Sequence, residues 1–461
     1  MQDPAACPEH DNIDNPAMTL KTPELLAPAG SLKMLETAFA FGATAIYAGQ
    51  PRYSLRVRNN DFGTLEVLGQ GIDLAHQLGH KFYLVSNIFP HDNKIKSYVQ
   101  NMAPVIALKP DALIMSDPGL IMMVRETWPE MEIHLSVQAN TVNSAAVRFW
   151  KSVGVARVIL SRELSLDQVA QIRQECPDTE LEVFVHGALC IAYSGRCLLS
   201  GYFNHRDANQ GSCTNSCRWD YKTQPGVVDA SGDILAPQAA AERERAEVYV
   251  IEEGQRPGSY MPIEEDEHGT YVMNSKDLRA IEHVQRLVEI GVDSLKIEGR
   301  TKSPYYVART VQSYARAIAD AVAGRELDPA LLGQLEGLAN RGYTSGFFQR
   351  HTPQETQNYL RGYSESGRSL YVGDVISFDT ARGLAEVTVK NRFAVGDWLE
   401  IIQPGGNSDV QLTQMENTEA EPMTVAPGSG HTVWLPLPAS SVGAFVARYL
   451  TAPEDAELPQ A

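Results

Sequence analysis

Nowhere in the 461 residues do about 18 apolar residues follow one another, so no membrane-spanning helix is expected. The sequence also lacks an excess of positive charge. Lys and Arg total 39 against 57 Asp and Glu, a formal charge of −18. That excludes a general basic coat for nucleic acid and leaves room only for local basic patches. Met1–Leu20 has neither a basic start nor an apolar core, so no secretory signal is expected. There are only six cysteines, and without an export signal they belong in the reducing cytoplasm, where disulfides do not form. No Gly-x-Gly-x-x-Gly follows a strand, which removes a Rossmann dinucleotide site. No Gly-x-Ser-x-Gly elbow and no His-Glu-x-x-His helix occurs, which removes two common peptidase signatures. What is present is ordinary for a globular chain: 43% hydrophobic and 21% charged residues, enough for two or three domains.

Residues 1–19 are polar and aperiodic and read as a disordered extension, with Met18 a candidate start. From residue 24 a strand–helix unit repeats. The strand candidates are Glu24–Pro28, Thr44–Gly49, Lys81–Ile88, Asp111–Ser116, Glu132–Val137, Ala156–Ser161, Leu181–His186 and Asp293–Glu298. Leu32, Leu35, Ala38 and Phe39 mark the apolar stripe of the first helix. Ser303-Pro304 predicts the N-cap and first residue of a helix reaching about Ala323. Nearly all-apolar strands alternating with helices predict a parallel sheet covered on both faces. Eight such units predict an α/β fold, a closed (β/α)8 TIM-like barrel over residues 20–325.

The spacing of the strands carries further information. Consecutive candidates start 20 to 37 residues apart, except the seventh and eighth, which start 112 apart. A large insertion, about 188–270, therefore follows strand seven, on the side where such barrels build their active face. Its segment Asp229–His268 holds eleven acidic residues and three Arg, and reads as a solvated excursion. Residues 326–368 read as a helical linker, 369–450 as a small C-terminal β-barrel domain, and 451–461 as a tail.

Four cysteines open the insertion as Cys190-x6-Cys197-x15-Cys213-x3-Cys217. Four soft thiolates select zinc or an iron–sulfur cluster. The gaps fit zinc knuckles poorly and suit a larger cluster better, although buried cysteines without metal stay open on spacing alone. A cysteine peptidase would need one activated thiol rather than four grouped ones.

The segment Glu182-Val-Phe-Val-His-Gly-Ala-Leu-Cys190, with Gly195-Arg-Cys197, resembles the signature of the peptidase U32 family. So do ELLAPAGS, YAGQPRYSLRVRNN, LIMSDPG, HLSVQAN, VILSRELS, NQGSCTNSCRW, MNSKDL and SLKIEGRTKS, from Glu24 to about Leu450. The set is similar to the bacterial branch that acts in prephenate-dependent hydroxylation of tRNA uridine. KNRFAVGD at Lys390–Asp397 favours that branch over shorter ubiquinone-hydroxylation members. The resemblance implies oxygen-independent formation of 5-hydroxyuridine at the tRNA wobble position. It implies prephenate as co-substrate and a 4Fe-4S cluster on Cys190, Cys197, Cys213 and Cys217. The competing readings are a U32-type peptidase and a non-catalytic iron–sulfur partner of another hydroxylation system.

Polar residues at the strand ends supply the candidate site. Arg52, Arg56 and Arg58 follow strand two, Asn87 and His91 strand three, and Gln138 and Asn140 strand five. Arg162 and Glu163 follow strand six, His186 ends strand seven, and Glu298 and Arg300 end strand eight. His186, Glu298 and Glu163 are the catalytic candidates. Prephenate is a dianion, and Arg52, Arg56, Arg58 or Arg300 would hold its carboxylates. Tyr53 either stacks on a base or packs in its loop. Lys302, Lys390 and Arg392 are the candidates for phosphate pairing with the tRNA anticodon loop, while Phe393 and Trp398 read as core. A protein partner for electron or oxygen supply is a further expectation.

Overall fold

The computed structural model describes residues 20–49, 52–55, 60–189, 276–338, 340, 342–349 and 369–450, with the backbone of short strands between 227 and 270. The 1–19 extension, the 451–461 tail, Arg56, Arg58 and most of the insertion lie outside the described residues, as do Cys190, Cys197, Cys213 and Cys217.

Eight parallel strands form a ring: β1 (Glu24–Pro28), β2 (Ala45–Gly49), β3 (Lys81–Ser86), β4 (Ala112–Met115), β5 (Ile133–Leu135), β6 (Arg157–Ile159), β7 (Glu180–Ala188) and β8 (Ser294–Ile297). Each pairs with the next, and β8 pairs with both β7 and β1, so the barrel closes. Apolar residues on the outer faces, such as Leu25, Leu113 and Leu295, are buried beneath the helices. The helices start where their caps are. Ser31, Thr64, Asn143, Ser165 and Ser303 each accept a hydrogen bond from the backbone N–H three residues on. Ser303 and Pro304 open the helix Pro304–Val322, as their order predicts.

Three features depart from the simple repeat. The chain returns from the insertion through a strand Asp277–Arg279, antiparallel to the end of β7, and Tyr343–Thr344 then pairs parallel to it. Among its described residues, the expected linker contains one helix, Ala330–Glu336. The third departure lies in β7. Phe184 pairs with Lys296 of β8, yet the next pair is His186 with Ile297, so Val185 is an extra residue. This β-bulge reverses the inside–outside alternation. Glu182 and Phe184 face the barrel interior, whereas His186 faces the helix Pro304–Val322.

The C-terminal domain is an antiparallel sheet of six strands, in the order Ser408–Gln411, Trp398–Ile402, Phe445–Tyr449, Ser369–Asp379, Leu384–Val389 and Thr432–Leu435. Glu416, beyond one edge strand, bridges to Trp434 on the other. The expected small barrel is thus a curled sheet whose edges meet through one bridge. It packs on the barrel's outer helices. Tyr371 stacks on Tyr305 with ring centres 4.5 Å apart, and Arg309 makes a buried two-pronged ion pair with Glu400 at 2.8 and 2.5 Å.

Candidate active site at the barrel mouth

The barrel interior is charged, and it divides into a floor and a mouth. At the floor Arg157 is the hub. Its guanidinium lies 2.5 Å from Glu24, 2.7 Å from Glu180 and 3.3 Å from Glu182. Lys296 Nζ donates to Glu182 Oε1 at 2.7 Å. The hydroxyls of Tyr83 and Ser294 donate to Glu24 at 2.6 and 2.9 Å. Burial pushes the Glu182 carboxyl up, but Lys296, Arg157 and His134 outweigh it, and the group stays below the ordinary carboxylate value. Burial lowers the Lys296 ammonium against the pull of Glu182. Glu132, His134 and Glu180 bring donor atoms within 4.8 Å of one another. Glu180 is already paired with Arg157, so a resident cation serves there.

Above the floor, two aromatic rings flank the Lys296 ammonium. It lies 4.4 Å from the centre of Tyr47 and 5.4 Å from that of Phe184. Each ring carries a guanidinium: Arg300 is 5.7 Å from the Tyr47 centre, and Arg162 is 3.9 Å from the Phe184 centre. Arg300 is 7% exposed and its Nη1 donates to Ser54 Oγ at 2.8 Å. Gly49 makes room for it, because a Cβ there would stand 2.4 Å from that same Nη1. The Tyr47 hydroxyl lies 2.9 Å from the Ile297 carbonyl and 3.2 Å from Glu298 Oε2. Burial and the neighbouring Glu298 hold the Tyr47 phenol well above its usual value, while Arg300 and Arg162 pull the other way.

The opposite side of the mouth carries a run of hydrogen-bonded amides and hydroxyls. Asn87 accepts from the Leu55 N–H at 3.2 Å and donates to Ser136 at 3.3 Å. Gln138 accepts from Ser116 at 3.2 Å and from Ser136 at 3.5 Å. The ends of β3, β4 and β5 therefore carry an arc of amides and hydroxyls, while Arg162 and Glu163 follow β6 and Glu298 and Arg300 follow β8.

The structure brings several of the sequence candidates together and separates others. Glu298 and Arg300 share the mouth. Glu163 is half-buried at the β6 end, accepting from Ser161 Oγ. Lys302 lies over the Tyr306 ring at 5.4 Å, at the N-terminal end of the helix Pro304–Val322. Arg52 is exposed on the loop after β2, and His91 is exposed after β3. Tyr53 is no stacking platform: it is buried against Tyr98 and accepts from Asn101 Nδ2 at 2.7 Å. His186 is also removed from the mouth. The bulge turns its ring to Tyr306, Tyr314 and Tyr343, with centres 5.5 to 5.9 Å away. Burial lowers its pKa to about 3, so it is neutral and no proton acceptor for a substrate in the barrel. Lys390 and Arg392 lie on the C-terminal sheet, exposed, with Lys390 3.5 Å from Asp374. Phe393 is core and Trp398 is half-buried.

Tyr47, Phe184 and Lys296 are site residues that strand-end reading passes over. Their signal is a lysine inside an otherwise apolar strand, SLKI, with an aromatic residue at an inward position on each of two other strands.

Two family profiles match the chain: Peptidase family U32 over residues 30–358, and Peptidase family U32 C-terminal domain over residues 368–446. The chain belongs to peptidase family U32. Among U32 relatives, tRNA hydroxylation protein P of Escherichia coli K12 is 58% identical over 427 residues, covering 90% of this chain and 94% of the relative. The protein of the same name from Haemophilus influenzae is 56% identical, covering 90% and 93%. A collagenase of Porphyromonas gingivalis is 29% identical, covering 87% and 91%.

Proposed function

We propose that the protein hydroxylates tRNA, converting the wobble uridine to 5-hydroxyuridine with prephenate as co-substrate and without molecular oxygen. The supporting observation is the 58% identity to tRNA hydroxylation protein P along nearly the whole length of both chains. The mouth suits the pair of ligands. A uracil base is neutral and carries donors and acceptors on its edges, as the amide and hydroxyl arc would require. Prephenate is a dianion, and the arginine side of the mouth is where carboxylates are held most strongly. C5 of a stacked uridine is hard to reach, so the base would be splayed into the barrel.

Cys190, Cys197, Cys213 and Cys217 would hold a 4Fe-4S cluster, since four thiolates are the donor set such a cluster takes. When bound, it supplies one-electron chemistry or an iron Lewis acid. Lys302, Lys390 and Arg392 would pair with tRNA phosphates, and a partner protein would supply electrons or oxygen. The cytoplasm is the proposed compartment; no helix among the described residues is long and apolar enough to cross a membrane.

A peptidase reading finds little support in the geometry. Among the described residues neither buried histidine of the barrel strands is hydrogen-bonded to a serine or cysteine. His134 lies at the floor beside Glu132 and His186 lies among tyrosines.

The test is nucleoside mass spectrometry of tRNA from cells grown without oxygen, with and without the gene. Loss of 5-hydroxyuridine-derived wobble nucleosides is expected, and unchanged levels overturn the reading. Protein purified anaerobically should carry about four irons per chain. Cys190→Ala, Cys197→Ala, Cys213→Ala and Cys217→Ala should each lower that content, while Cys176→Ala should not.

A further inference from the structure

A cleft of about 470 Å³ opens between the first helix, Leu32–Ala40, and the C-terminal sheet. It lies outside the barrel and shares no residue with the mouth. Small ligands commonly bind in clefts of this size at domain junctions. One wall carries Lys33, Glu36, Ala40 and Phe41. The other is built by the turn after Trp398–Ile402 and the turn before Phe445–Tyr449. Along the helix the lining runs from charged to apolar. Phe41 meets Phe445 with ring centres 6.2 Å apart, and Phe445 lies 6.1 Å from both Tyr305 and Tyr371. This aromatic base joins the two domains. Val442, on the facing wall, is 47% exposed, and covering it would be favourable.

The charged part of the helix wall is not neutralised by the protein. Lys33 and Glu36 are both exposed, and among the described residues neither forms an ion pair with the other or with a third group. Three residues apart on a helix, they lie on one side of it. The facing turns leave room: a Cβ on Gly405 or on Gly443 would meet nothing within 4 Å. The cleft therefore offers one cation and one anion together, beside an apolar surface.

We infer that this cleft binds a free α-amino acid with an apolar side chain. Its carboxylate pairs with Lys33, its ammonium pairs with Glu36, and its side chain lies along Ala40, Phe41 and Val442. A zwitterion meets both charges at once, whereas a simple acid or a simple amine leaves one of them unmet. Being neutral overall, it is not repelled by a chain of formal charge −18. A ligand so placed touches both domains and stiffens the docking of the sheet on the barrel. The inference does not depend on the proposed function.

The experiment is calorimetric titration of the full-length protein with three probes. L-Phenylalanine carries both charges, 3-phenylpropionate lacks the ammonium, and 2-phenylethylamine lacks the carboxylate. Each truncated probe should bind about three- to tenfold more weakly than L-phenylalanine, the value of one solvent-exposed charged contact. Lys33→Met should weaken L-phenylalanine by the same factor and leave 2-phenylethylamine unchanged, because the carboxylate it served is missing. Glu36→Gln should weaken L-phenylalanine and leave 3-phenylpropionate unchanged. Ala40→Trp keeps both charges, fills the apolar part of the cleft and should abolish binding of all three. In hydrogen exchange, L-phenylalanine should slow residues 403–405 and 440–445, the turns that form the facing wall. No heat and no added protection at millimolar L-phenylalanine overturns the site. Binding that survives Ala40→Trp places the ligand elsewhere and overturns it as well. Equal weakening of all three probes by Lys33→Met and by Glu36→Gln overturns the zwitterion pairing. Without added amino acid, tRNA hydroxylation should be the same in every variant, so failure of the site leaves the proposed function standing.

Discussion

The floor and the mouth of the barrel use the same residue types to opposite ends. At the floor Glu24, Glu180, Glu182, Arg157 and Lys296 close on one another. At the mouth Arg162 and Arg300 lie against rings. A closed buried network is costly to break and nearly neutral to replace with well-packed apolar residues. A guanidinium on a ring keeps its charge available at low local dielectric. The difference separates charges closed into a buried ion-pair network from charges packed on aromatic faces, within one barrel.

The sharpest way to break this contrast is at the floor. Glu182→Gln leaves Lys296 and Arg157 facing a neutral group in a site with no solvent access. Denaturant titration should show a loss of about 3–5 kcal/mol. Glu182→Leu with Lys296→Met should recover most of it. A loss below about 1 kcal/mol in the single variant would erase the distinction between floor and mouth.

The outer side of β7 gives an effect that is absent at neutral pH and grows only on acidification. The folded-state pKa of His186 is about 3, below its ordinary 6.5, because burial disfavours the imidazolium. Between those values the unfolded chain binds the extra proton, so stability rises with pH up to about 6.5 and falls as pH drops below it. The slope approaches about 1.4 kcal/mol per pH unit in the lower part of that window. His186→Phe should flatten the acid limb of the unfolding curve while leaving neutral-pH behaviour comparatively unchanged. An identical acid slope in the variant would mean that the ring is solvated.

The smallest expected change in stability is on the C-terminal sheet. Lys390→Glu with Arg392→Glu alters exposed residues and should move stability by no more than about 0.5 kcal/mol. In filter binding it should weaken tRNA and flatten the salt dependence by about two phosphate contacts. Unchanged binding would confine RNA recognition to the mouth.

Much of the barrel was legible because its strands are short apolar runs set between helix caps. Ser303-Pro304 announces the helix Pro304–Val322 as clearly as any residue pair in the chain. The candidates Glu298 and Arg300 were legible for a simpler reason: strand ends of such barrels point at one face. What escaped reading depends on pairing between distant strands. Nothing local in LEVFVH reveals that Val185 is bulged, since the bulge exists only against β8. Strict alternation therefore places His186 inside the barrel. Glu24, Arg157 and Lys296 sit at the starts or middles of apolar runs, and their partnership appears only once the ring closes. Asp277–Arg279 is three residues long and follows the insertion, too short for a period to show.

The docking of the C-terminal sheet bears on how two weak contacts become one strong one. Tyr305, which stacks on Tyr371, is three residues from Lys302. Asn391 Nδ2 donates to the Tyr371 carbonyl at 2.7 Å, so the Lys390–Arg392 turn is tied to the same end of the helix Pro304–Val322. Arg309, one turn further along that helix, is paired with Glu400 of the same sheet. On the proposed function, an RNA loop held by the mouth would present its flanking phosphates to the turn at an effective concentration set by its own length rather than by a protein tether. Loops of the matching span would then gain the most avidity and longer ones progressively less, so the docked sheet would act as a caliper.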